Sequence, residues 1–414
     1  MVSCKPLIRD QKWVVLALIL STAYTLPMLK VGEHISLQYG KVSAISAIII
    51  GSLIIWAIGF AVISMADEDS SNAIENIRSY IGNYSSMFLW LILMAAILNW
   101  FVQQLHGAMS VIAPVFGLEK ASTILRIGAS LGLLITFLSA GGIRVLKRVT
   151  LISFPFVLVY HLLSFFHPDH SMTTISSSVL PTSSGIISIV QTLLPGALNL
   201  PTLFRHAKSK EDAILGLGCM VALITVFQIS ALGLNFKFSS HFLGSNPDYF
   251  RILTVVFSIL TVVCINIVNI YYASACWETY CPKFEGARGS VVIGLIGVAI
   301  YMVSQNPEIS QLVTVLTSCW LGTLCIVLLV GYLIRVTLGH RLNYIERLIN
   351  LLCWLAGSVA GTISVIKGSQ EGAVPLLLGV SITCIMYLLF IFLESLFWAA
   401  KGIFAREDDS RKGQ

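Results

Sequence analysis

The chain has 414 residues, of which 56% are hydrophobic and only 11% charged, with a mean hydropathy of +0.86 and a net charge of +6. Globular domains carry about a quarter charged residues, so this chain cannot cover a water-facing surface and reads as a polytopic membrane protein. The positive excess belongs to the loops of such a protein and does not point to nucleic acid, and the nine scattered cysteines suggest buried small residues rather than a metal site.

The opening MVSCKPLIRDQK runs into an apolar stretch from Trp13 to Leu29. No small-residue cleavage site follows, so the stretch reads as a retained span and not as a signal peptide. Spans need about 20 apolar residues. Twelve such runs are predicted: 13–36, 42–66, 86–112, 122–142, 149–166, 184–205, 211–234, 249–276, 289–304, 309–335, 345–366 and 374–400. The longest polar connections are 67–85, 167–183 and 235–248. With the N-terminus inside, 19 lysines and arginines fall on the inner side and 7 on the outer. That bias predicts cytoplasmic N- and C-termini in an inner or plasma membrane.

Span one is interrupted around Ser21–Pro27, and span six at Pro195–Pro201. Each opens a set of five spans, 13–166 and 184–335, with 345–400 as two additional spans. Five is odd, so the second set enters from the opposite side, which makes an inverted repeat. Paired interruptions at matching positions mark a transporter's midplane site. The segments are expected to unwind and offer freed N–H and C=O groups to a ligand. Ser21, Thr22, Tyr24 and Thr25 lie in the first interruption. Leu193, Pro195, Gly196, Ala197 and Asn199 lie in or beside the second.

Polar groups inside spans supply the remaining candidates. Span three reads LNWFVQQLHG, with Asn99, Gln103 and His106 on one helical face and Trp100 with Gln104 on the neighbouring one. An indole beside amides suits a flat heteroaromatic ligand; interhelical hydrogen bonding explains the amides equally well. Span eight places Asn266 and Asn269 on one face. Ionisable groups within spans are few: Lys30, Glu33, His34, His106 and His161. The spacing of Lys30 to Glu33 and His34 suits a local ion pair. Nucleophile elbow, zinc-protease, Walker and C-x-x-C signatures are absent, which argues against an enzyme.

Four stretches together resemble the nucleobase–cation symporters, and within them the cytosine permeases. They are 50–101 (IGSLIIW to LNWF), the NWF of span three, PTLFRHAKSKEDAILG after span six, and Asn269–Ser274 (NIYYAS). The resemblance implies a leucine-transporter-type fold of two inverted five-helix repeats plus two helices. It implies symport of a small heterocycle driven by Na+ or H+, with no cofactor. It also implies that Trp100 stacks on the ligand ring, that Asn269 lies close to the ligand, and that Pro195–Ala197 form the span-six break. Leu193 stands where the family has a second aromatic residue, and Thr202 where it has an acid. The family's sodium site falls on Ser21, Thr22, Cys264 and Asn266, with no hydroxyl side chain in span eight. Proton coupling through His106, His161 or Glu33, or uncoupled transport, stays open. So does an amino-acid or amine transporter on the same fold, or a membrane sensor.

Overall fold

A computed structural model describes residues 9–66, 72–165, 180–233, 248–304, 306–338, 342–368 and 373–412. Thirteen α-helices occur among the described residues. In chain order they are α1 Trp13–Tyr39, α2 Lys41–Met65, α3 Ala73–Ile81, α4 Asn83–Val115, α5 Ala121–Ser139, α6 Gly142–Phe165, α7 Ser183–Phe204, α8 Lys210–Gly233, α9 Asp248–Glu278, α10 Ala287–Val303, α11 Pro307–Leu338, α12 Tyr344–Ile366 and α13 Ala373–Lys412. Every predicted span coincides with one helix. Most of the predicted connections 167–183 and 235–248 lie outside the described residues.

Ten of the helices are long and apolar enough to cross a membrane. The two predicted spans outside that set have separate reasons. α10 has 17 residues. α6 opens on GIRVLKR, three cations within two turns. The bundle's outside is apolar, with Leu53, Phe137, Ile152, Val226, Leu333 and Leu388 all exposed. That is the surface lipid requires and water penalises. The chain is therefore a multi-pass integral membrane protein.

The helix α3 has no counterpart among the predicted spans. It is nine residues long, too short for the spanning template, and lies in what reads as a polar connection. Ile74, Ile77, Tyr80 and Ile81 bury one face, while Asn72 and Glu75 form a capping box that satisfies the first N–H groups. The Asn72 side chain also donates to Ala275 O and Thr279 Oγ1, both at 2.8 Å, which staples α3 to α9. Asn72→Ala should cost about 2 kcal/mol through loss of the cap and of the buried bonds. Thermal unfolding in detergent is expected to show a lower Tm. Asn72→Asp, which keeps the cap acceptor but donates nothing to α9, should fall between the two.

The turn from α1 to α2 is a single residue, Gly40, at φ 84°. A side chain there would be strained.

The predicted interruptions do not unwind. Both α1 and α7 run unbroken through Pro27, Pro195 and Pro201. Proline removes only one N–H, here the donors that the carbonyls of Ala23, Gln191 and Ala197 would otherwise use. Polar side chains bond the adjoining backbone. Thr25 Oγ1 donates to Ser21 O at 2.6 Å, and Asn199 Nδ2 to Pro195 O at 2.8 Å. A buried, packed environment holds the helical path that isolated propensity disfavours.

Candidate functional site

A cavity lies where α1, α4, α7 and α9 meet, away from the helix ends. Its walls are Tyr24, Ile97, Trp100, Thr192, Pro195, Gly196, Asn269 and Tyr272. The helical period selects them. Ile97 and Trp100 are three apart on α4; Thr192, Pro195 and Gly196 share a face of α7; Asn269 and Tyr272 share one of α9. About 10 Å³ is open to the centre of a water molecule, which admits one water and no ring.

Two aromatic rings close the space. Tyr24 meets Trp100 edge to face, with ring centroids 6.2 Å apart at 65°. The Tyr24 hydroxyl lies so close to α7 that a Cβ on Gly196 would sit 1.9 Å from it. Only glycine permits that approach. The aromatic partner of Trp100 therefore comes from α1 rather than from position 193. No charged side chain lines the cavity.

The other candidates separate by face. Trp100 turns to the cavity, and Gln104, one turn on, is buried. A step of about 100° per residue carries Asn99 and Gln103 away from Trp100, toward α11. Asn99 Nδ2 donates to Ser310 O at 3.0 Å and Thr314 Oγ1 at 2.9 Å, and Ser310 Oγ donates back to Asn99 Oδ1 at 2.8 Å. Gln103 Nε2 donates to Ser310 Oγ and Thr314 Oγ1 at 3.0 and 2.8 Å. Gln103 and His106, with Ser304, Asn306, Pro307, Ser310, Gln311 and Thr314, line a second, polar pocket between α4 and α11. On α7, Leu193, Ala197 and Asn199 are buried beside the cavity rather than on it. Asn199 is folded back onto Pro195 O. On α9, Asn266 stands behind Asn269. Asn266 Nδ2 donates to Phe101 O at 3.3 Å, and Asn269 Nδ2 donates to Asn266 Oδ1 at 3.1 Å.

The residues assigned to a cation offer few free oxygens. Ser21 Oγ donates to Leu18 O, and Asn266 is engaged at both ends of its amide. Thr22 Oγ1 is buried without a partner. Cys264 is a buried thiol beside Ser153 and Thr150. Sodium wants several hard oxygen ligands; of these residues Ser21 Oγ and Thr22 Oγ1 keep lone pairs, while Cys264 offers sulfur in place of a hydroxyl.

The three groups considered for proton coupling sit on separate helices. His106 Nε2 is 3.0 Å from Ser304 O, and its ring packs on Tyr301. His161 stacks on Phe227, with Nδ1 3.2 Å from Ser230 Oγ. Glu33 lies near Lys30, whose Nζ donates to Gly107 O at 3.3 Å. None of the three lines the central cavity.

The end of the bundle where α1 begins and α7 and α9 finish is tied shut. Gln11 pairs with the segment after α7, its N–H donating to His206 O at 3.1 Å and its O accepting from Lys208 N at 2.9 Å. Asp212 Oδ1 accepts from Trp13 N at 3.2 Å. Arg205 donates to Tyr271 Oη at 3.2 Å and lies 3.7 Å from Glu278 Oε2. His206 Nε2 bonds the same Tyr271 hydroxyl.

No protein-family model matches the chain, and no curated protein matches it in sequence. Solved structures do. Mhp1, a nucleobase-cation-symport-1 family transporter in a closed conformation with bromovinylhydantoin bound, superposes with a TM-score of 0.69 at 15% identity over 97% of this chain and 96% of that one. Mhp1 in its inward-facing conformation gives 0.61 at 14% identity, covering 94% of each chain. A Na+-coupled sialic acid symporter in a substrate-bound outward-open state gives 0.67 at 10% identity, covering 92% of this chain and 90% of that one. The chain thus has the leucine-transporter-type fold expected from its sequence.

Proposed function

We propose that the chain is a secondary transporter that carries a small, flat, uncharged heterocycle, of the nucleobase or hydantoin kind, across the cytoplasmic membrane by alternating access. The reading rests on the cavity between Trp100, Tyr24, Gly196 and Asn269: aromatic walls, an amide, and no charge. A π-face and an amide suit a polar ring. The fold shared with Mhp1 and the sialic acid symporter supplies the transport mechanism, one helix set rocking against the other around a central site. The four sequence stretches and this fold support reading the chain as a nucleobase–cation symporter. The lysine and arginine bias places both termini, and the closed α7–α9 end, in the cytoplasm.

The amino-acid alternative needs groups for a carboxylate and an ammonium. Neither is charged for in the cavity, and α1 runs unbroken, so no half-helix N-terminus faces it. Coupling to Na+ through Ser21, Thr22, Cys264 and Asn266 would rest on the α1 hydroxyls and the Asn266 amide oxygen, with a thiol at Cys264. Coupling to H+ would use a carrier outside the cavity walls.

Radiolabelled uptake in a transport-deficient cell tests this, with sodium and pH varied independently. Uptake of uracil, cytosine, adenine or hydantoin, competed by other rings and not by amino acids, is the expected result. Competition by amino acids alone would overturn it.

A further inference from the structure

On the cavity wall, the Tyr272 hydroxyl is buried with no hydrogen-bond partner among the described residues. The side chain is 1% exposed. Buried hydroxyls without partners are uncommon, and each calls for an explanation such as a ligand that completes it. Its neighbour on α9, Tyr271, already bonds Arg205 and His206, so a tyrosine in this helix readily finds a partner where one is present.

Asn269, one turn before Tyr272, supplies the complementary group. The chain from Asn269 Nδ2 to Asn266 Oδ1, and from Asn266 Nδ2 to Phe101 O, fixes which way both amides point. It uses one N–H of Asn269 and leaves Asn269 Oδ1 without a donor among these bonds. Residues three apart on a helix present neighbouring side chains. One patch of α9 therefore carries an O–H donor from Tyr272 beside an amide oxygen acceptor from Asn269.

We infer that Tyr272 is a specificity-determining residue that donates its hydroxyl to a ring carbonyl of the substrate, while Asn269 Oδ1 accepts the adjacent ring N–H. The inference rests on the transporter reading above and narrows its substrate class to rings with a cis-amide edge, N–H next to C=O, as in lactams and cyclic ureides. Rings that bear only acceptor nitrogens can accept from Tyr272 but offer Asn269 Oδ1 no donor. The cavity must widen to admit a cis-amide ring, since as it stands it has room for one water. The ring restores the missing bond of Tyr272 only when the carbonyl faces α9.

The test is equilibrium binding to the purified full-length protein in detergent, with 2-pyridone, uracil and hydantoin as cis-amide probes. Benzene and toluene serve as matched rings with neither donor nor acceptor. Tyr272→Phe keeps the ring and its packing and removes only the oxygen. Wild type is expected to bind the cis-amide rings more tightly than their matched rings. Tyr272→Phe should weaken the cis-amide rings by about tenfold to a hundredfold and leave the matched rings unchanged, so that the preference shrinks to what Asn269 supplies. Elution as a single species and an unchanged Tm confirm that the variant folds. Equal affinity of wild type and Tyr272→Phe for every cis-amide ring, with Trp100→Ala still impaired, would overturn the assignment and leave the transporter reading standing. Failure of wild type to bind any ring would overturn both.

Discussion

Trp100→Ala is expected to abolish measurable uptake while the protein still reaches the membrane. Trp100 is 7% exposed, one wall of the cavity and the edge-to-face partner of Tyr24. A ring stacked on an aromatic side chain gains about 1–3 kcal/mol, measured by alanine substitution. Affinity should therefore fall about tenfold to a hundredfold from stacking alone. A second loss comes from Tyr24. Its ring stands between Trp100 and the Gly196 backbone, and with the indole gone it has room to lean into the ligand's place. Trp100→Phe separates the two effects. It keeps a π-face and a stop for Tyr24, so it should retain part of the uptake. Folding is checked by surface expression and by the elution profile, because removal of a large buried ring also costs stability. Full uptake of every tested ring by Trp100→Ala would remove Trp100 from the site and with it the proposed mode of binding.

The helices were legible in the sequence because lipid leaves little choice: a run of about 20 apolar residues has no other stable form in a bilayer. All twelve predicted spans reappear as helices, and the packed assembly has the fold that the NWF and NIYYAS stretches resemble. What the sequence misjudged was the effect of proline. Pro27, Pro195 and Pro201 read as breaks, yet α1 and α7 pass through them as helix. Thr25 and Asn199, both side chains able to bond the backbone four residues earlier, were the available hint. The polar face of span three was visible but not its division. Trp100 and Asn99 are neighbours in sequence, and the turn of the helix sends one to the cavity and the other to α11. Tyr24 was placed near the site but not against Trp100, since that contact needs the missing side chain of Gly196, a pairing between α1 and α7 that no local pattern encodes. α3 escaped because nine residues with one apolar face look like a loop when only spanning lengths are sought.

Arg205→Ala should shift the protein toward a state open at the α7–α9 end. Arg205 caps α7 and joins it to α9: it donates to Tyr271 Oη, stands 3.7 Å from Glu278 and lies over the Tyr271 ring at 5.8 Å. Its side chain is 11% exposed and that of Glu278 24%, so the contact is drier than a surface ion pair and keeps more of its strength. An open end would hydrate both charges. The network therefore favours the closed state, and its loss is worth about 1.5–3 kcal/mol for bonds to a charged group. That is about tenfold to a hundredfold in the closed-to-open ratio. Cys276 reports the change directly. It is fully buried on α9, with its Sγ 3.5 Å from Asn199 Oδ1, one turn from Tyr272 and two residues before Glu278. In a background that retains Cys276 alone, maleimide applied to the cytoplasmic face should label it slowly in the parent and at least several times faster in Arg205→Ala. Glu278→Ala should act in the same direction and more weakly, since Tyr271 still holds Arg205. The double variant should match Arg205→Ala if the two act through one contact. A cis-amide ring bound between Trp100 and Tyr272 should slow labelling in all of them if it favours the closed form, because a ligand shifts an equilibrium only by its preference for one state. Labelling of Cys276 at the parent rate in Arg205→Ala would show that this end is held shut elsewhere. The Gln11 pairing with the segment after α7 would then be the next contact to cut.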